Sequence, residues 1–133
     1  MSEIDLKEYS QFVDKVTSSE SKDNQAFQER LDSLSANDVP RLLTAALGLS
    51  AESGEFTEIV KKLVFQGKPL SEETRTHMIK ELGDVMWYWT QGCMALGVDP
   101  NEVITTNKKK LMARYPEGEF EVAKSENRKE GDI

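Results

Sequence analysis

The sequence predicts an all-α protein on three observations. Apolar residues recur at spacings of three and four along most of the chain. No stretch alternates apolar and polar residues in the manner of a half-buried strand. Helix start and stop signals fall between the periodic segments. With 133 residues the chain is long enough for a single domain with a real core and too short for two ordinary ones, so one domain over 1–133 is expected, its core about 36–116 and its tail 117–133.

Each element has a local reason. Residues 3–17 place Leu6, Tyr9, Phe12, Val13 and Val16 on one helical face. SSESKDN, 18–24, reads as a loop, and a short helix around 25–34 carries Phe27 and Leu31 on one side. SANDVP, 35–40, ends it, with Asp38 a suitable N-cap and Pro40 suited to the first turn of the next helix, 39–65. Gln66-Gly67-Lys68-Pro69 stops that helix. Ser71 caps a helix with acids in its first turn that continues to Leu96, where Gly97 ends it. Asp99-Pro100 opens a helix to about Tyr115. Beyond Pro116 the composition is polar, with Phe120 and Val122 isolated, and predicts a flexible tail.

Composition narrows the function. Net charge is −7 and the pI about 4.8, which argues against nucleic-acid or anionic-membrane partners held through basic patches. One cysteine, Cys93, excludes an intrachain disulfide and fits a reducing compartment. No apolar run reaches membrane-spanning length, and the N-terminus lacks a signal-peptide core, so a cytoplasmic protein is expected.

The stretch AESGEFTEIV, 51–60, carries acids at 52, 55 and 58. At about 100° per residue, Ala45, Leu49, Phe56, Ile59, Val60 and Leu63 form an apolar arc; Glu52 projects into it, Glu55 lies on its edge and Glu58 falls opposite. The 71–96 helix repeats the pattern. Met78, Leu82, Val85, Met86, Trp89, Cys93 and Leu96 form its arc, Glu81 borders it and Asp84 lies one step further round, with Tyr88 one turn beyond and His77 one turn before Glu81. A short connection favours antiparallel packing, which lets the two acid pairs converge. Four carboxylates in one small volume either rise in pKa or recruit cations, and Mg²⁺ suits an all-oxygen set. A solvated face on each helix fits the same pairs, and both readings stand at this point. A di-iron carboxylate bundle does not fit, because it needs Glu-x-x-His on two helices and His77 is the chain's one histidine. Trp87 projects away from the core arc, on the side of Gly83, Thr90 and Met94, so the helix is apolar on two faces and a second subunit is expected against the outer one.

E-x-x-E followed after 25 intervening residues by E-x-x-D resembles the signature of the all-α nucleoside triphosphate pyrophosphohydrolases, and the chain is similar to their MazG-like members, particularly short phage-type single-domain forms. The matching stretches are LGLSAESGEFTEIVKK at 47–62, KELGDVMWYW at 80–89, NKKKLMARYPEG at 107–118 and SENRKEGD at 125–132. The extra Glu that often precedes the first pair is Ala51 here, and nothing in the first 35 residues matches. The resemblance implies a four-helix-bundle-like core in a homo-oligomer, dimer or tetramer. It implies cleavage of a (d)NTP between the α and β phosphates to (d)NMP and pyrophosphate. It also implies two or more Mg²⁺ ions, with Mn²⁺ able to substitute. Carried over, Glu52, Glu55, Glu81 and Asp84 are metal ligands, and Glu55, or Glu52, activates water. Asn107, Lys110 and Arg114 form a phosphate clamp on one face of the last helix; the same residues alone fit a solvated basic helix end. Lys62 and Arg128 are further phosphate candidates and Tyr88 an aromatic near the nucleoside. A narrower dNTP specificity and a catalytically silent helical interaction module are the alternatives.

Overall fold

The computed structural model describes residues 3–128 of the chain. Among them every regular element is helical: α1 (Leu6–Val16), α2 (Asn24–Ser33), α3 (Val39–Phe65), α4 (Glu72–Leu96), α5 (Pro100–Arg114) and α6 (Val122–Glu126). No helix among the described residues is long and apolar enough to cross a membrane.

Two compact units divide the chain, Met1–Val39 and Pro40–Ile133. In the first, Asp5 caps α1 by accepting from the Lys7 backbone N–H at 2.9 Å, and Asp23 caps α2 by accepting from Ala26 at 2.8 Å. The stretch expected to be a plain loop contains a 3₁₀ turn, Ser19–Ser21, held to the end of α1 by Lys22, whose Nζ donates to the Asp14 carbonyl at 2.7 Å. The apolar face of α1 is formed as its spacing predicts but is exposed, Leu6, Tyr9, Phe12 and Val16 included.

The second unit is built on α3 and α4. The Ser71 hydroxyl accepts from Thr74 N–H at 3.2 Å to start α4, and Gly97 ends it at φ 63°, a left-handed conformation that glycine adopts without a Cβ penalty. Asp99 accepts from Asn101 N–H at 2.8 Å, with Pro100 as the first residue of α5. The two long helices run antiparallel, one turn at a time. Arg41 donates to Gln91, Ala45 faces Gly92, Gly48 faces Tyr88, Glu52 faces Asp84, and Phe56 shares a cavity wall with Met78 and Leu82. This register brings the two acid motifs side by side.

Burial departs from what periodicity alone suggests. Ala45, Ile59 and Cys93 are buried, as expected for the core, yet Leu82, Met86 and Leu96 of the α4 arc are more than half exposed. Periodicity shows which face is apolar; what covers that face depends on the neighbours. In the tail, α6 forms where polar composition predicted no order. Lys124 Nζ donates to Glu117 at 2.7 Å and to Glu121 at 3.0 Å, and the Tyr115 and Phe120 rings pack with centroids 5.7 Å apart.

Candidate metal centre

Glu52 on α3 and Glu81 and Asp84 on α4 each bring a carboxylate oxygen within 4.8 Å of the others. Glu81 is the sealed member at 9% exposure, Glu52 is half-buried and Asp84 is exposed. This ordering was not legible from the sequence, where Glu52 points furthest into the apolar arc and Glu81 only borders its own. Glu55 is exposed and stands outside this trio. Glu58 is elsewhere too, paired with Lys62 at 3.2 Å and Lys61 at 3.7 Å, which hold its carboxyl below the ordinary range.

The electrostatics are those of like charges brought together. Glu52 is held above its ordinary pKa, first by loss of solvent, then by the Asp84 charge, then by its contact with Glu81. On Glu81, besides the Glu52 contact, His77 Nε2 donates to Oε1 at 2.9 Å. Glu81 Oε2 is buried and has no hydrogen-bond partner. A buried carboxylate oxygen without a partner costs about 1–3 kcal/mol or more. In a trio of carboxylates, a hard divalent cation would satisfy it and offset the clustered charge, and a proton shared with Glu52, whose pKa is raised, would relieve it in the cation's absence. The donors are all oxygen, so the residues fit Mg²⁺ or Mn²⁺ and offer no soft ligand.

The surroundings are set by packing. Tyr88 lies one turn beyond Asp84, half-buried, with its ring against Gly48 of α3; a Cβ at position 48 would overlap the ring's Cγ, Cδ1 and Cε1. Trp87 meets Tyr88 edge-on, centroids 4.9 Å apart at 87°, and is itself 56% exposed. On α5, Lys110 and Arg114 are half-buried and Asn107 is exposed beside an apolar groove that includes Leu111, Tyr115 and Phe120. Lys62 reaches Glu58, and Arg128 is exposed at the end of the described residues. One contact at the site, His77 to Glu81, lies outside the acid motif. Its signal was present as an i, i+4 spacing, but its weight comes from the burial of Glu81.

Comparison with known proteins adds the chemistry of a family. Residues 41–118, more than half of the chain, match the model of the MazG nucleotide pyrophosphohydrolase domain, and all four motif acids fall inside the match. The chain is similar to the gene 37 protein of Mycobacterium phage L5, 37% identical over 73 residues, which are 54% of this chain and 64% of that protein. The aligned part thus spans somewhat under two thirds of the relative's length. No solved structure matches the chain.

Proposed function

This chain belongs to the MazG nucleotide pyrophosphohydrolase domain family, and from that premise we propose that it is a Mg²⁺-dependent enzyme cleaving (d)NTPs between the α and β phosphates to (d)NMP and pyrophosphate. The observation that carries the metal dependence is the buried, unpartnered Oε2 of Glu81 within a trio of carboxylates. Glu52, Glu81 and Asp84 hold the cation, and Glu55, one turn along α3 from Glu52, completes the set. Bound there, Mg²⁺ offsets the charge of the triphosphate and makes the attacking water more acidic.

The protein's own groups do the rest. Glu55, exposed to solvent and so reachable by water, takes the proton from the attacking water. Lys110 and Arg114 grip phosphate oxygens, Arg114 with two parallel N–H donors, and Asn107 and Arg128 add further polar contacts. Tyr88, fixed against Gly48, forms a rigid wall on the nucleoside side of the carboxylates. Lys62 steadies Glu58 and contributes positive charge to the same helix.

The working form is a homo-oligomer, either a dimer or a tetramer. Support comes from α4, whose Ile79, Leu82, Met86, Trp87 and Met94 are all at least half exposed, while few apolar side chains are buried among the described residues. A panel of ribo- and deoxynucleoside triphosphates incubated with Mg²⁺ tests the activity. Pyrophosphate with equimolar monophosphate is expected, and release of orthophosphate alone refutes the reading.

A further inference from the structure

We infer that His77 is a positioning residue for the carboxylate site: its Nε2–H pins Glu81 Oε1, leaving Oε2 as the oxygen offered to a divalent cation. This rests on the cation reading above and assigns a role to a residue outside the acid motif. A carboxylate only accepts hydrogen bonds, so in this contact Nε2 carries the hydrogen.

The pair is not an ordinary surface bridge. Lys62 and Glu58 have the same i, i+4 spacing with both side chains comparably exposed, 44% and 47%. His77 is 50% exposed but Glu81 only 12% in its side chain, so the donor sits at the rim and the acceptor is sealed. Were the contact there only to stabilise α4, an acceptor with both oxygens partnered would serve better. Instead one oxygen is fixed and the other is buried without a hydrogen-bond partner, on a carboxylate that clusters with Glu52 and Asp84. Carboxylates that ligate metals are commonly held in this way by a hydrogen bond from outside the coordination shell, and loss of such a partner typically costs 10–100-fold in affinity.

The chain itself supplies the conservative replacement. Gln25 Nε2 donates to Glu29 Oε1 at 3.0 Å across the same i, i+4 spacing in α2, so a glutamine amide reaches a glutamate one turn on. Mn²⁺ is titrated calorimetrically into the full-length wild type, His77→Ala, His77→Gln and Glu81→Gln, with thermal unfolding of each in EDTA as the fold control. His77→Ala is expected to weaken Mn²⁺ binding about tenfold or more with its unfolding curve little changed, and His77→Gln to recover most of the loss. Wild-type affinity in His77→Ala, or no recovery in His77→Gln, overturns the inference. If Glu81→Gln abolishes binding while His77→Ala does not, this inference alone fails. If the wild type takes up no Mn²⁺, or Glu81→Gln binds it normally, the carboxylate site fails and His77 with it.

Discussion

Replacing Gly48 with alanine tests the helix register that creates the site. In a helix interior, alanine ordinarily outdoes glycine by about 0.5–1 kcal/mol, because glycine has more backbone freedom to lose. At Gly48 the added Cβ falls on the Tyr88 ring, at its Cγ and Cδ1 as well as Cε1, so a small swing of the ring tip does not relieve it. Forced repacking of that kind costs about 1–3 kcal/mol. The repacking penalty outweighs the helix gain over most of that range, and Gly48→Ala should destabilise by about 1 kcal/mol, up to about 2.5. In a Tyr88→Ala background the obstruction is gone and the sign should reverse, to a gain of about 0.5–1 kcal/mol. The implied coupling, about 1–3 kcal/mol, lies in the range of residues in direct contact. Urea unfolding of the wild type, both single variants and the double variant, in EDTA at one fixed protein concentration, measures it. If alanine at 48 stabilises equally with and without the tyrosine ring, α3 and α4 do not meet here and the site built on their register falls.

Three other expectations bear on charge and assembly. Asp84→Asn and Glu55→Gln should each lower turnover by at least about a hundredfold with helical circular dichroism unchanged; near-wild-type turnover in either removes that residue from the site. Glu52 has a raised pKa in the folded chain, chiefly from lost solvation, so the folded state holds its proton more tightly than the unfolded chain does. Its contribution to cation-free stability is therefore complete below the ordinary glutamate value, about 4.3, and is lost as pH rises through the raised value. Melting curves in EDTA across that window should show this decline in the wild type and a flatter profile in Glu52→Gln; identical profiles would contradict the assignment. Trp87→Glu places a charge on the exposed apolar side of α4 and should shift the light-scattering mass to smaller species, an unchanged mass counting against that face as a subunit contact.

What could be read from the chain was whatever local chemistry decides. Ser71, Gly97 and Asp99-Pro100 mark the ends of α4 and the start of α5 because caps and φ preferences act within a few residues. The convergence of Glu52 with Glu81 and Asp84 was legible because a short loop between two long helices leaves antiparallel packing as the simple solution. The depth of each acid was not. Glu81 is sealed and Asp84 open for reasons of helix rotation and neighbouring side chains that a helical wheel does not contain. The same limit hid the exposure of Leu82 and Met86, and it hid α6, whose Lys124 contacts depend on a turn at Gly118 with φ 78°.

A divalent cation held by Glu52, Glu81 and Asp84 is the centre of the proposed activity. Anomalous diffraction from crystals of the full chain grown with Mn²⁺ tests that directly. An anomalous peak within bonding distance of oxygens from all three residues, including Glu81 Oε2, is the predicted result. Ordered carboxylates with no peak among them, at a Mn²⁺ concentration that supports turnover, would contradict it.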